Sequence, residues 1–244
     1  MGRQRGIFVA ILGPDGAGKS TLARGLLEAA PPWCASVQYQ HVRPRLFGRR
    51  DEPDAHPHAH GRPGRFRTIC KLGYLWLDCG FGYLLVTRPA LARGTLCVSD
   101  RCFHDLLVDP LRYRCAPLRL LPRLLARLLP LPDLLLVLDA PQATVLARKV
   151  ELAPAEVERQ RTAYRALASA LPCGRVLDAA QPAETVLDEA VHCIAGLLAA
   201  RTTGERTRLP ASSDDRAARA TTRALRGAIL HGGLRRVRAP RPRR

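Results

Sequence analysis

The chain has 244 residues, of which 47% are hydrophobic and 25% are charged, and this composition excludes a largely disordered or fibrous protein. The length is sufficient to bury a substantial core in one main domain. The formal net charge is +18, but only three of the 39 basic residues are lysines. The charge therefore reflects a general arginine bias rather than, by itself, a nucleic-acid-binding surface.

The basic charge is concentrated at the C-terminal end. Residues 201–244 contain 13 arginines and three acidic residues and carry a net charge of +10, whereas residues 1–200 carry +8. We predict one domain over 1–200 and an Arg-rich tail over 201–244, which is either disordered or forms one basic helix. Contact of the tail with nucleic acid or an anionic membrane is the less favoured alternative.

The eight cysteines stand singly, with no C-x-x-C pair and no regular spacing. This arrangement is typical of reduced thiols in a cytoplasmic protein. No secretory signal is expected, because the apolar run near the N-terminus has only six residues. No transmembrane segment is expected either, since the apolar stretches 72–86 and 118–138 are interrupted by Asp78 and by arginines and prolines.

Taken in chain order, the pattern alternates strands with helices. Strands are predicted over 6–12, 35–42, 95–100, 133–139 and 174–178. Helices are predicted over 19–30, 66–87, 117–129, 141–150, 155–171 and 182–199. Residues 134–138 are continuously apolar, as in a strand that is covered on both faces. The expected fold is therefore α/β, with a parallel sheet and helices on both of its faces.

A complete G-x-x-x-x-G-K-[ST] sequence lies between the first strand and the first helix. In this context, backbone N–H groups and the helix N-terminus would bind phosphate oxygens, Lys19 would reach the β- and γ-phosphates, and Ser20 would ligate Mg²⁺. The sequence thus predicts a nucleoside triphosphate site. Its predicted residues are Gly13, Pro14, Asp15, Gly16, Ala17, Gly18, Lys19, Ser20 and Thr21.

Charged residues follow two other predicted strands at the same edge of the sheet. Asp100, after the third strand, is well placed to hold Mg²⁺ together with Ser20, and Arg101 can bind a phosphoryl group through two nitrogens. A surface ion pair at a turn is the alternative for this dipeptide. Arg43 follows the second strand and could reach an acceptor phosphate.

A short break between two helices separates Arg148 from Arg159 and Arg161. Arginines on a closing lid stabilise the charge of a transferring phosphoryl group and exclude water. A solvated helix face with i,i+3 ion pairs is the equally weighted alternative. In the segment 104–114, two further arginines, Arg112 and Arg114, could contact an anionic acceptor or simply be exposed.

Residues 48–64 form a polar segment rich in proline and glycine, which is predicted to be a disordered surface loop or, second, a substrate-covering loop. It contains His56, His58 and His60 without a fourth ligand nearby. No metal site is therefore expected there.

Together these residues resemble the thymidylate kinase family of nucleoside monophosphate kinases. The resemblance covers most of residues 6–199, and it rests on the loop 13–21, on the order Arg88-Pro89-Ala90, strand, Asp100-Arg101, and on the arginines near the helix break. It implies a P-loop three-layer sandwich with a five-stranded sheet and a short lid. It also implies ATP and Mg²⁺ as cofactors, and phosphoryl transfer to a small acceptor.

The same resemblance implies roles for individual residues. Asp15 and Arg101 would lie at the acceptor, and the arginines at 148, 159 and 161 would lie at the transferring phosphoryl group. Lys19, Asp100, Arg101 and these three arginines are the predicted catalytic residues. A homodimer through the helix at 66–87 is a further possibility that the family suggests.

The chain departs from the family in the pocket that holds the thymine base. The phenylalanine, arginine and glutamine of the family pattern are replaced at approximately Leu75, Cys79 and Phe81. A site without these hydrogen-bonding groups discriminates poorly between bases. We therefore expect an ATP-dependent phosphotransferase whose acceptor, a nucleoside monophosphate or similar small molecule, is not ordinary thymidylate. A different, more apolar pocket lined by Trp76, Phe81 and Tyr83 is conceivable, although each is more simply explained as core.

Two alternatives remain open from the sequence. One is a true thymidylate kinase with an altered base pocket. The other is a nucleotide-dependent binding or regulatory protein that acts through its basic tail.

Overall fold

The computed structural model describes residues 5–29, 34–41, 64–118, 120–149 and 152–203. The strands are β1 (Ile7–Leu12), β2 (Ser36–His41), β3 (Thr95–Asp100), β4 (Leu134–Asp139) and β5 (Gly174–Asp178). The α-helices are α1 (Lys19–Glu28), α2 (Arg65–Gly82), α3 (Arg88–Ala92), α4 (Leu121–Arg127), α5 (Gln142–Arg148), α6 (Pro154–Ala170) and α7 (Ala183–Thr203). A π-helical segment, Tyr83–Thr87, joins α2 to α3, and two 3₁₀ turns, Phe103–Leu107 and Leu111–Tyr113, follow β3.

The five strands form one parallel sheet in the order β2-β3-β1-β4-β5. In this register Ile11 of β1 pairs with Asp100 of β3, and Leu12 pairs with Val137 of β4. The α/β prediction is confirmed, and every strand lies within one residue of its predicted bounds. Because parallel strands end at the same edge, the loops after β1, β3 and β4 meet there.

Helices cover both faces of the sheet. The larger apolar core packs α1 and α7 against one face, where Leu22, Leu26 and Ile194 are buried. On the other face, Tyr164 and Ala168 of α6 pack against Leu135 and Val137. Residues 134–138 are all buried, as expected for a strand that is covered on both faces.

The predicted helix 66–87 is longer in the structure, where the helical backbone continues to Ala92. Pro89 has no N–H group to donate to a carbonyl of the preceding turn, and the π-helical segment lies in that turn. The continuous helix Arg65–Ala92 has a mean hydropathy of 1.3 in its most apolar window, so by length and composition it is long enough to cross a membrane. The sequence did not predict such a segment, because Asp78 interrupts it.

Two other predicted helices are shorter in the structure. The helix predicted over 117–129 is α4, which begins at Leu121 with Pro122 in its first turn, where a proline does not interrupt the hydrogen bonding. The helix predicted over 141–150 is α5, which ends at Arg148. Both differences are at helix ends, where sequence patterns are least informative.

The last helix, α7, is hydrogen-bonded to residues that directly precede β1 and β4. Arg201 of α7 donates to the carbonyl of Gly6 (3.2 Å) and to Asp133 (2.5 Å). The other carboxylate oxygen of Asp133 accepts the backbone N–H of Phe8 at 2.8 Å. α7 continues to Thr203, and the remainder of the predicted tail, 204–244, lies outside the described residues, as do Arg43 and residues 48–63.

Candidate active site

The loop between β1 and α1 has the backbone geometry that its glycines permit. Gly16 has a φ of +86°, and a Cβ atom there would lie 2.8 Å from the carbonyl oxygen of Val145. Gly18, with a φ of +95°, is the N-cap of α1. Side chains at either position would be strained, so the loop closes tightly on α5 and turns its backbone toward the helix N-terminus.

Lys19 is buried at the first position of α1. Its Nζ donates to the carbonyl of Pro14 (2.8 Å) and lies 3.4 Å from Oδ1 of Asp15. Burial lowers the pKa of Lys19 to about 8, with a further contribution from the charge of Arg101 and a partial offset by Asp15 and Asp100. The ammonium is therefore held inside the loop that it would use to bind phosphate.

Ser20 and Asp100 meet across the sheet edge. The Ser20 hydroxyl donates to Oδ2 of Asp100 at 3.3 Å, and the Tyr39 hydroxyl lies 3.5 Å from the same oxygen. Proximity to Asp100 and burial together raise the pKa of Tyr39, with burial the larger cause. A hydroxyl and a carboxylate beside the phosphate loop are the oxygen donors that Mg²⁺ prefers, so the two residues predicted to hold the metal fit it.

Arg101 has a backbone conformation that is uncommon for a residue with a side chain. Its φ is +76°, and its N–H donates to the carbonyl of Ile11 in β1 at 2.9 Å. The side chain is 4% exposed and donates to Asp105 (2.7 Å) and to Asp15 (2.5 Å). Strain of this kind collects at functional sites. Here it accompanies a guanidinium that reaches the phosphate loop.

Asp105 is the fully buried partner of this arginine, and no role was predicted for it. Tyr164 of α6 donates to its Oδ1 at 2.6 Å, and Tyr113 donates to its Oδ2 at 2.8 Å. Burial raises the pKa of both tyrosines well above their usual range, and the charge of Asp105 adds to this effect. The one sequence signal was the i,i+4 spacing of Arg101 and Asp105.

Arg112, in the second 3₁₀ turn, reaches the same loop residue as Arg101. Its NH2 group donates to Oδ2 of Asp15, while Nε lies 3.4 Å from Oδ2 of Asp109. Burial alone would raise the pKa of Asp15, but the charges of Lys19, Arg101 and Arg112 hold it well below the usual range. Three cations therefore surround one carboxylate at the acceptor side of the loop.

The three predicted lid arginines are not in one place. Arg148 donates to the carbonyl of Ala179 (3.2 Å), on the β5 side of the phosphate loop. Arg161 donates to Asp139, at the end of β4, at 2.8 Å. Arg159 pairs with Glu156 (2.7 Å) and donates to the carbonyl of Val108 (3.0 Å), on the acceptor side. The i,i+3 pairing expected of a solvated helix face is therefore present beside contacts to the site.

A cavity of about 150 Å³ opens beside the phosphate loop, on the side opposite Arg101 and Arg112 in the order of the strands. It lies between the start of α1 and the loop that follows β5. This position suits the base and sugar of a bound nucleoside triphosphate. Its lining includes Ala17, Gly18, Thr21, Arg148, Ala179 and Gln181.

The three positions that replace the family's base contacts are separated in the structure. Leu75 packs into an apolar cluster with Phe103 and Leu106, and Cys79 lines a cavity of about 50 Å³ that also contains Gln40 and His104. Burial lowers the pKa of His104, so its imidazole is neutral near pH 7. Phe81, together with Trp76 and Tyr83, lines an open groove of about 610 Å³ between α2 and the segment after α4.

The predictions about metal sites and thiols concern residues both inside and outside the described ranges. In the described ranges, no group of three or more His, Cys, Asp or Glu side chains is arranged to hold a metal ion. The triplet at His56, His58 and His60 lies outside these ranges, as does Arg43. All eight cysteines are free thiols.

The features described so far define a P-loop phosphotransferase. They are a parallel sheet, a phosphate loop with a buried lysine, a Ser–Asp pair that fits Mg²⁺, and converging arginines. Asp100, which fits the metal, and the buried cation Arg101 are adjacent in the chain. This is the class of protein that the fold and the site support.

Comparisons with known proteins identify the family within this class. The chain is 31% identical over 229 residues to a thymidylate kinase of Xanthomonas euvesicatoria, with 82% of this chain and 88% of the relative covered. It is 33% identical over 211 residues to a thymidylate kinase of Xanthomonas campestris, covering 80% and 86%. No protein-family model matches. The chain therefore belongs to the thymidylate kinase family, and it is an ATP-dependent nucleotide kinase that uses Mg²⁺.

The fold supports the same assignment. A thymidylate kinase of Ehrlichia chaffeensis superposes with a TM-score of 0.54 at 15% identity, over 78% of this chain and 99% of that one. The P-loop three-layer sandwich predicted from the sequence is thus confirmed. The regulatory alternative, in which the basic tail carries the function, is not favoured by these relatives.

Proposed function

We propose that the acceptor is a pyrimidine nucleoside monophosphate and that its base is selected only weakly. The observation that carries the proposal is the position of Arg101, a buried guanidinium that is held against the phosphate loop one residue beyond Asp100. A phosphate in that position would lie next to the γ-phosphate bound by Lys19. Weak base selection follows from the apolar packing of Leu75 and from the outward position of Phe81.

In this proposal, the residues of the chain divide the work of phosphoryl transfer. The loop amides and Lys19 bind the donor's phosphates, while Ser20 and Asp100 would hold Mg²⁺, which supplies positive charge to the phosphate oxygens. Arg101 binds and orients the acceptor's phosphate, so that an acceptor oxygen is directed at the γ-phosphorus. Positioning and electrostatic stabilisation supply the catalysis.

The three arginines around the break between α5 and α6 close the site in this proposal. Arg161, paired with Asp139 at the end of β4, would bind the transferring group. Arg148 would contact the donor from the β5 side, and Arg159 the acceptor segment. Closure excludes water, which would otherwise accept the phosphoryl group.

The test is ATP-to-ADP turnover by the full chain with thymidylate, other nucleoside monophosphates and the matching nucleosides. The Lys19→Ala variant is the control for a contaminating kinase. We expect monophosphates to accelerate turnover and nucleosides not to do so. We also expect thymidylate and the other pyrimidine monophosphates to agree within about tenfold in kcat/KM, because the base-directed hydrogen bonds are missing.

Two results would contradict parts of this proposal. A preference for thymidylate of about ten-thousandfold would mean that other polar groups, such as Gln40 and His104, read the base, and the chain would be a true thymidylate kinase with an altered pocket. Acceleration by nucleosides, or by no monophosphate at all, would remove the acceptor class.

We also infer that the chain pairs with a second copy through an apolar surface on α2, the π segment and α4. Leu85 is 64% exposed and Leu128 is 69% exposed, and Phe81, Leu84 and Leu124 are exposed beside them. An exposed apolar area of this kind typically marks an interface. Light scattering should give a dimer for the full chain and a monomer for Leu85→Glu. A monomeric wild-type chain would contradict the inference.

A cytoplasmic location remains a prediction. It is supported by the eight free thiols and by a site built for a nucleoside triphosphate. Flotation with lipid vesicles would test it, because insertion of the apolar helix Arg65–Ala92 would carry the chain to the membrane fraction.

A further inference from the structure

One carboxylate in the phosphate loop is bound by two arginines, one on each oxygen. Oδ1 of Asp15 accepts from Arg101 at 2.5 Å, and Oδ2 accepts from Arg112. Lys19 lies 3.4 Å from Oδ1 on a third side. We call Arg101 and Arg112 the arginine pair.

Each member of the arginine pair is held by a second, buried carboxylate. Arg101 donates to Asp105 at 2.7 Å through its other terminal nitrogen. Arg112 lies against Asp109, which accepts its backbone N–H at 3.2 Å and contacts its Nε at 3.4 Å. Buried Asp105 therefore holds the guanidinium of Arg101 independently of Asp15, whereas Asp109 holds the backbone of Arg112 and places a negative charge beside its Nε.

The backbone between the two arginines is equally constrained. The carboxylates of Asp105 and Asp109 lie in the segment that joins the two arginines. In its second turn, the carbonyl of Pro110 accepts the N–H groups of Tyr113 and Cys115. Gln160 of α6 donates to Asp109 at 3.3 Å, so the helix after the lid supports the same turn. The segment that carries Arg112 is therefore held in place by the fold.

Two guanidinium groups that converge on one point form a site for a dianion. A phosphate monoester offers three acceptor oxygens and up to two negative charges, whereas the carboxylate of Asp15 offers two oxygens and one charge. The phosphate would therefore compete well for this position. Asp15 supplies one negative charge at the point where the two arginines meet.

We propose that Arg112 is a second ligand of the acceptor's phosphoryl group, beside Arg101, and that Asp15 occupies this position until the acceptor binds. The inference rests on the proposed function, since it names a specificity-determining residue of the same site. Its consequence is selection between acceptors: the arginine pair makes the chain prefer a phosphorylated acceptor to the corresponding alcohol.

The first test measures acceptor binding in the absence of turnover. Calorimetric titration of the full chain, saturated with ADP and Mg²⁺, compares thymidylate with thymidine in wild type, Arg112→Gln and Arg112→Lys. We expect Arg112→Gln to weaken thymidylate binding by roughly tenfold to a hundredfold, as for a lost charged hydrogen bond, and to leave thymidine and ADP binding unchanged. Arg112→Lys should be intermediate, because it keeps the charge and loses the fork geometry.

A matched control separates this effect from the general loss of positive charge. Arg123→Gln removes an exposed arginine of α4 and should leave all affinities unchanged. Equal thymidylate binding in wild type and Arg112→Gln would overturn the proposal. So would an equal loss for thymidine, because Arg112 would then act on the fold of the site rather than on the phosphate.

A second measurement remains valid if the proposed function fails and no nucleoside monophosphate binds. Inorganic phosphate is titrated into the chain saturated with Mg²⁺ and a non-hydrolysable ATP analogue, which also fills the γ-phosphate position beside Lys19. Phosphate binding should weaken in Arg112→Gln and strengthen in Asp15→Asn, which removes the competing anion. Unchanged phosphate binding in both variants would overturn the anion site itself, whatever the acceptor is.

Discussion

The donor side and the acceptor side of the proposed site are built from different parts of the chain. The donor side consists of one continuous loop, 13–21, in which the backbone conformation of the glycines and the buried Lys19 come from adjacent residues. The acceptor side is a set of side chains that meet from β3, two 3₁₀ turns and α6 around Asp105. The first arrangement can be read from a short motif, whereas the second exists only after the chain has folded.

The two sides also differ in the substitutions that they tolerate. Backbone geometry dominates at the donor side, so the damaging changes there are those that add a Cβ or remove the lysine. At the acceptor side, the buried carboxylate of Asp105 accepts hydrogen bonds from one arginine and two tyrosines. Removing its negative charge therefore affects all three of these groups. Four substitutions test this contrast.

Lys19→Ala should have the largest effect, because it removes the cation that contacts the donor's phosphates. We expect kcat to fall by at least about a thousandfold, with little change in the unfolding temperature. Lys71→Ala, one of the two other lysines, is the matched control and should keep full activity. A loss of kcat below tenfold would mean that the loop amides bind the donor's phosphates without the lysine.

Asp105→Asn should damage the acceptor side and the fold together. It leaves the buried Arg101 with one charged partner fewer, and we expect about 3 kcal/mol of lost stability in chemical unfolding. KM for the acceptor should rise while KM for ATP stays constant. Asp188→Asn, at an exposed position of α7, is the control. A parallel rise of both KM values would show that the two sides are not independent.

Gly16→Ala tests the donor side without touching a charged group. A methyl group there would meet the carbonyl of Val145 at 2.8 Å, in addition to the cost of a left-handed residue, whereas at Gly18 it would meet nothing within 4 Å. Both variants should lose about 1–2 kcal/mol for the conformation alone, and Gly16→Ala should lose more. Thermal unfolding of the ligand-free variants gives the comparison. Equal losses would exclude the contact with α5 as a constraint.

Tyr164→Phe should have the smallest effect of the four. It removes one hydroxyl donor from Asp105 and keeps the ring, so about 1–2 kcal/mol of stability should be lost. Because Tyr113 donates to the other oxygen, the double variant with Tyr113→Phe should cost more or less than the sum of the two. Strict additivity would mean that the two tyrosines do not share one network.

These differences explain which parts of the fold and of the site could be predicted from the sequence. The strands and the phosphate loop were predictable because each is encoded by adjacent residues, as in the apolar run 134–138 and the loop 13–21. Asp105 was not identified, because its partners Tyr113 and Tyr164 come from separate elements that only the fold brings together. Arg112 was recognised as one of two open possibilities, since no local pattern distinguishes it from Arg114.

The helix that starts at Arg65 illustrates a second limit. Its end at Ala92, rather than at 87, depends on the π turn that accommodates Pro89, and a proline in a sequence usually indicates a boundary. Likewise, the three arginines at 148, 159 and 161 contact different elements of the structure. No pattern of charges in the sequence encodes these contacts.

The clamp formed by Arg201, Gly6 and Asp133 has a practical consequence for trimming the chain. The three residues join the C-terminal helix to the two strands in the middle of the sheet, so the natural place to cut is after Thr203 and not at residue 200. A chain that ends at 200 would lose the arginine, and among the described residues the exposed Arg5, at 4.0 Å, would be the remaining cation beside Asp133. Studies of the basic tail should therefore compare the full chain with 1–203, so that any difference belongs to the tail alone.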